Sequence, residues 1–219
     1  MRCCIVRHGE TPWNAERRLQ GHQDIPLNAL GLSQADAAGR YLAARHAQTP
    51  FSLLISSDLQ RARQTADAIG VALALSVQTD AALRERHYGD FEGKTPAEAR
   101  QFDDVAYDSL VARDDLTAAP GRAEPLVGMV ARIEGCLQQL AAQQGDQSVI
   151  LVTHGGVLDV LYRRAMGREL TGPRDAPIPN AGMNWLDLDL DLDNGHLRWT
   201  MVAWGQTEHL IDASLDEIL

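Results

Sequence analysis

The stretch Cys3-Cys4-Ile5-Val6-Arg7-His8-Gly9-Glu10-Thr11 decides how this chain is read. Four apolar residues of strand length run into an arginine, a histidine and a glycine, where a buried strand would stop and a loop begin. The same arrangement returns far downstream, as Val149-Ile150-Leu151-Val152 followed by Thr153-His154-Gly155-Gly156. Two histidines at the ends of two buried strands, each backed by glycine, can meet at one sheet edge. Open α/β folds put their ligands at that edge.

Around these two anchors, strand-length apolar runs alternate with helical patterns. Strands are expected at Cys3–Val6, Leu53–Ser56, Leu73–Val77, Val149–Thr153, Met183–Leu190 and Leu197–Ala203. Helices are expected over Leu32–His46 with Ser33 near its cap, from a Ser57 or Asp58 cap through Ile69 to a stop at Gly70, over Leu126–Gln143, and over Gly156–Met166. Interleaving of this kind implies a three-layer α/β/α sandwich with a mostly parallel central sheet. Asn194-Gly195 between the last two strands is a two-residue hairpin signal and makes that sheet mixed. Residues Arg84 to Arg122 hold turn residues, charges and scattered aromatics, and are expected to form an insertion over the C-terminal sheet edge that shapes specificity. The whole of residues 1–219 is expected to be one domain.

The chain has 219 residues, 45% apolar and 23% charged, which suits a globular protein with a substantial core. Its net charge of −10 argues against general nucleic-acid binding, which needs a basic face. Three cysteines (Cys3, Cys4 and Cys136) are too few for a disulfide framework or a zinc site. No run of apolar residues is long enough to cross a membrane, and the chain reads as cytoplasmic. The acidic tail after Trp204 ends in an amphipathic stretch that could pack or mediate association, and a homodimer is open to it.

Two arginines, Arg7 and Arg61, make phosphate the natural cargo of the histidine edge, since guanidinium forks match phosphate oxygens. A neutral imidazole is a competent nucleophile toward phosphorus, and the same arginines disfavour imidazolium at His8. His154, if protonated beside phosphate, would add a donor, and the backbone at Gly155-Gly156 opens a helix suited to anions. The leaving oxygen needs a proton. Glu85 is the best candidate, while Glu10 and Asp58 compete by residue type.

Further matches extend the pattern: Asn14, Gln20-Gly21, Asp24-Ile25-Pro26-Leu27-Asn28, Gly31, Ser56-Ser57-Asp58-Leu59, Gln64-Thr65-Ala66, Glu92-Gly93. This ordered set resembles the histidine phosphatase superfamily, also called phosphoglycerate mutase-like, from Arg2 to about Asn180. The resemblance implies His8 as phospho-accepting nucleophile, with Arg7, Arg61 and His154 completing the phosphate pocket. It implies Glu85 as acid/base, Asn14 lining the pocket, Gln20 and Gly21 on the substrate side, and no metal or cofactor. Glu85-Arg86-His87-Tyr88-Gly89 looks like cofactor-dependent phosphoglycerate mutases. The chain is shorter than those mutases and lacks their paired-arginine, multi-proline segment after Gly93, and Leu19-Gln20-Gly21-His22-Gln23-Asp24, followed by Pro26-Leu27-Asn28, looks closer to the phosphatase branch. The expectation is therefore a histidine acid-type phosphatase, a metal-independent phosphomonoesterase acting on small phosphorylated metabolites. A mutase is the alternative, and a non-catalytic module binding phosphorylated ligands is the second. Pro120-Gly121-Arg122-Ala123-Glu124-Pro125 departs from the family's pattern, and Arg122 there could touch an acidic substrate.

Overall fold

Alternation along the first strand determines which layer each neighbour joins. In the computed structural model, which describes residues 1–114, 118–191 and 193–210, β1 spans Arg2–Arg7. Cys3 and Ile5 point to one face of the sheet and Cys4 and Val6 to the other, all four fully buried. The remaining strands and α-helices are α1 (Pro12–Ala15), α2 (Ala29–His46), β2 (Phe51–Ser56), α3 (Gln60–Leu73), β3 (Val77–Thr79), α4 (Pro96–Ala112), α5 (Leu126–Gln144), β4 (Ser148–Thr153), α6 (Gly155–Ala165), β5 (Met183–Leu190) and β6 (Leu197–Gln206). They build a six-stranded sheet in the order β3-β2-β4-β1-β5-β6. The β3-β2-β4-β1 part is parallel, and β5 and β6 add antiparallel, so the expected mixed sheet is present.

Helices cover both faces. Cys4, Val6, Ile150 and Val152 pack against Ala38 and Leu42 of α2 and Ala62, Ala66 and Ile69 of α3. Cys3, Ile5, Val149 and Leu151 pack against Ile133 and Leu137 of α5 and Val157, Leu158 and Leu161 of α6. Fully burying the valine, leucine and isoleucine side chains among them contributes roughly 1.5–3 kcal/mol each. β1 and β4 are paired neighbours in register from Arg2↔Ser148 to Arg7↔Thr153. The helix after β1 lies on one face and the helix after β4 on the other, so the chain parts between their C-terminal ends. That parting is the crevice where doubly wound sheets bind ligands, and it leaves His8 and His154 side by side.

Several sequence expectations need correction. The strand placed over Leu73–Val77 begins only at Val77, because α3 continues through Gly70 to Leu73 and turns off at Ala74 (φ 55°). Gly70 does not stop the helix; its bare face packs against Leu75 and Leu54, where a methyl group would not fit. Helix α2 starts four residues before Ser33, capped by the Asn28 side chain on the Gly31 N–H at 2.8 Å. Neither Ser57 nor Asp58 caps α3; its N-cap position is Leu59, and the Gln60 N–H bonds Asp24 instead. The β5–β6 hairpin is real, but its loop is longer than two residues: Asp191 and His196 close it, and the Asp191 carboxylate accepts from the Asp193 N–H and the Asn194 amide. The stretch Arg84–Arg122 contains a 17-residue helix, α4, bent at Asp103. Phe91, Ala99, Tyr107, Leu110 and Ala123 give it a small core of its own. Residues 211–219, the end of the acidic tail, lie outside the described residues.

Candidate active site

His8 leaves β1 with its backbone still on the sheet, its N–H donating to the Thr153 carbonyl at 2.9 Å. The ring Nδ1 lies 2.7 Å from the Gly9 carbonyl. A carbonyl only accepts, so Nδ1 carries the ring proton and the lone pair sits on Nε2. Nε2 has no hydrogen-bond partner among the described residues. Gly9 must be glycine, because Gly31 of α2 crosses so close that a Cβ would meet its carbonyl. The His8 carbonyl is held from the other side by Asn180 Nδ2 at 3.1 Å.

The His154 ring centroid stands 5.1 Å from that of His8. Arg61 Nε donates to its Nδ1 at 3.2 Å, so the one ring proton is on Nε2, which donates to Ser57 Oγ at 2.8 Å. With Arg61 on Nδ1 the ring is held neutral, and its Nε2 proton is directed at Ser57. Burial, then the charge of Arg61, pushes both imidazoles well below their usual range; Arg7 adds to this at each, and the rings act on one another at His154.

Arg61, on the first turn of α3, is completely buried. Besides His154 it donates Nη1 to the Gln23 carbonyl and Nη2 to the Gly21 carbonyl, both at 2.8 Å. It does not pair with Asp58, which binds Arg84 at 2.7 Å. Arg7 Nη1 donates to the Ile178 carbonyl at 2.6 Å, while its Nε is buried without a partner. Burial and the neighbouring Arg174 charge draw the Arg7 guanidinium down to about 10, so it remains cationic at neutral pH.

Glu85 sits at the N-terminus of α6. The Gly156 N–H donates to its carboxylate at 2.9–3.0 Å, and the Arg86 N–H donates at 2.8 Å. The helix N-terminus expected to hold an anion directly therefore spends one N–H on this carboxylate. Three partners fix the backbone behind it. Arg132 of α5 donates to the carbonyls of Ala82, Arg84 and Glu85, Thr153 Oγ1 to that of Leu83, and His22 Nε2 to that of Glu85. The two competing carboxylates are engaged elsewhere, Glu10 with Asn28 and Asp58 with Arg84.

The other expected residues divide. Gly155 and Gly156 open α6 directly after His154. Gly21, at φ 52°, offers its carbonyl to Arg61 and abuts Glu92, which leaves no room for a side chain. Gln20 is buried with its Oε1 unpartnered. Asn14 caps α1 through Thr11 and reaches His8 only through Asn180, by a 3.3 Å contact. Arg122 is not brought in: its side chain is 85% exposed and pairs with Asp90.

A cavity of about 200 Å³ opens beside Gly156. Met129 and Val160 form part of an apolar wall, Tyr88 and Tyr107 an aromatic one, and Arg86, Arg113 and Arg174 a cationic side. Burial pushes the Tyr88 phenol up to about 12. Sequence reading matched Ser57 without assigning it a role, and missed Asn180, Asp159, Arg113 and Arg174 as parts of this region. Only Asp159 and Arg163, four apart on α6, left a local signal. Among the described residues, no group of three or more His, Cys, Asp or Glu could hold a metal ion, and no helix is long and apolar enough to cross a membrane.

A family model described as histidine phosphatase superfamily (branch 1) matches residues 3–206. "Phosphoglycerate mutase-like protein 4" of Arabidopsis thaliana is 37% identical over 94% of this chain and 85% of its own length. "Metal-independent phosphoserine phosphatase" of the same organism is 33% identical over 94% of this chain and 82% of its own. Among solved structures, a mycobacterial glucosyl-3-phosphoglycerate phosphatase in complex with VO3 superposes with a TM-score of 0.79 at 32% identity, covering 94% of this chain and 99% of that one.

Proposed function

The chain belongs to branch 1 of the histidine phosphatase superfamily, and on that premise we propose that it is a metal-independent phosphomonoesterase that hydrolyses small phosphorylated metabolites through a phosphohistidine on His8. The observation that carries this reading is the His8 ring itself. Its proton is parked on Nδ1 by the Gly9 carbonyl, and burial with Arg61 and Arg7 keeps it neutral, so Nε2 presents a lone pair.

The steps follow from this arrangement. Nε2 attacks phosphorus while the P–O bond to the alcohol breaks, and Glu85 in its protonated form delivers a proton to the leaving oxygen. The phosphorylated ring keeps its Nδ1 proton, and its positive charge is met by the Gly9 carbonyl. Arg7 and Arg61 face the charge that spreads over the equatorial oxygens. Water then attacks phosphorus, the Glu85 carboxylate takes its proton, the P–N bond breaks, and His8 returns neutral. Ser57 and Asn180 orient the two histidines. Asn14 acts through Asn180, and Gln20 and Gly21 border the substrate side. Cys3, Cys4 and Cys136 are free and buried, in keeping with a reducing, cytoplasmic setting.

The test is hydrolysis of a phosphomonoester panel in EDTA, p-nitrophenyl phosphate included, beside the variant H8A. Phosphate release that survives the chelator and falls roughly 10³-fold or more in H8A is expected. Near-normal rates in H8A would remove the nucleophile assignment. Interconversion of phosphoglycerates without net release would move the chain to the mutase reading.

A further inference from the structure

The cavity beside Gly156 carries more positive charge than phosphate cleavage accounts for. Behind two of the arginines that line it, Arg113 and Arg174, lies Asp159, almost fully buried one turn into α6. Its Oδ2 is 3.0 Å from both Arg113 Nε and Arg163 Nε, and its Oδ1 is 3.6 Å from Arg174 Nε. One carboxylate thus gathers three cations. Arg163 is consumed by structure, donating to the carbonyls of Glu169, Thr171, Gly172 and Pro173. Arg113 and Arg174 line the cavity, although Arg113 also donates Nη1 to the Gly172 carbonyl at 2.7 Å.

Arg174 holds the surplus. Apart from its approach to Asp159 it makes no ion pair or hydrogen bond among the described residues, so its Nη groups are open. It also lies against Arg7: a Cβ at Gly155 would sit 3.3 Å from Arg174 Nη1 and 3.7 Å from Arg7 Nε. The bare Gly155 lets two like-charged guanidiniums share one spot, and the Arg7 Nε beside it is buried without a partner. Two cations held together with open donors form an anion site. One member belongs to the phosphate pocket, and the other points into the cavity that receives the alcohol portion. The apolar wall at Met129 and Val160 fits a short carbon skeleton between the two.

We propose that Arg174, backed by Arg113 and positioned by Asp159, binds a carboxylate on the alcohol portion of the substrate, so that the enzyme selects phosphorylated hydroxy acids over neutral phosphoalcohols. A guanidinium fork matches the planar carboxylate with two parallel N–H···O bonds. The volume of about 200 Å³ restricts the alcohol to a small one. The inference rests on the phosphomonoesterase reading and adds its substrate class.

The experiment compares substrate pairs that differ only in the carboxylate: 3-phosphoglycerate with glycerol 3-phosphate, and phosphoserine with phosphoethanolamine. For the wild-type enzyme, kcat/KM should favour the acid of a pair by about tenfold or more. In R174Q that ratio should collapse toward one, mainly through KM for the acid, and R174K should restore part of it. A wild-type enzyme without the preference would overturn the proposal, whether or not the variant folds. An equal loss on both members in R174Q would overturn it too, by making Arg174 a phosphate contact. Loss of all phosphomonoester hydrolysis in the wild type would instead strike the underlying function.

Discussion

His8, His154 and Glu85 differ in how their protons are placed, and that placement is what the site's chemistry turns on. Gly9 takes the Nδ1 proton of His8, Arg61 fills Nδ1 of His154, and the Gly156 N–H lies against both oxygens of Glu85. If Glu85 moves the proton to the leaving oxygen, E85Q should depend on leaving group, since glutamine keeps an acceptor for Gly156 but has no proton to give. Alkyl phosphates should slow by about 10²–10⁴, and p-nitrophenyl phosphate, whose leaving group needs little help, far less. An equal loss across a leaving-group series would place the acid elsewhere. Most of these residues were legible in the sequence because each sits at a strand end or in a fixed string beside one. Asn180, Arg113 and Arg174 were not. They come from loop and helix-end positions that reach the site only through folding, and a lone arginine in a loop carries no pattern.

At the scale of elements, the start of α6 joins the nucleophile's neighbour to the acid. Its first residues follow His154 directly, and the Gly156 N–H anchors Glu85. A Cβ at Gly156 would drive into the Glu85 carboxylate. We therefore expect G156A to lose about 10²-fold on alkyl phosphates through misplacement of Glu85. Full activity in G156A would show that the close approach is not used. Helix α4 marks where element reading fell short. Thr95-Pro96-Ala97-Glu98 forms a capping box with proline at the first helical position, a recognisable start signal. The bend at Asp103 and the aromatics on both sides of it broke the helical period that would have carried the signal forward. Strand β3 was displaced for a different reason: Leu73 and Leu75 are apolar at strand spacing, but Leu73 packs against the sheet as the last turn of α3.

For the molecule as a whole, the layered fold could be read because β1 and β4 are continuous apolar runs buried on both faces, and the hairpin of β5 and β6 carried its own turn residues. The spatial neighbourhood of β1 and β4 rests on the topology and is what joins their two histidines. That junction has a cost in acid. His8 and His154 are buried neutral, with folded-state affinities for protons below those of the unfolded chain. The unfolded state therefore binds more protons below about pH 6.5, and stability falls as pH drops through that point. Each histidine contributes a slope of up to about 1.4 kcal/mol per pH unit until its folded form titrates. Denaturant unfolding of the wild type and H8A between pH 7 and 5 measures this, and the variant should show the shallower dependence. Identical slopes would mean that His8 is already protonated in the folded protein.

The most direct measurement is to quench the enzyme during turnover of a phosphomonoester and locate the phosphoryl group by mass spectrometry and ³¹P NMR. An acid-labile, base-stable phosphoryl group on His8, bonded through Nε2, is expected, because the Gly9 carbonyl holds the proton on Nδ1. Phosphate on another residue, bonding through Nδ1, or steady turnover with no phosphoenzyme under conditions that trap one would contradict it.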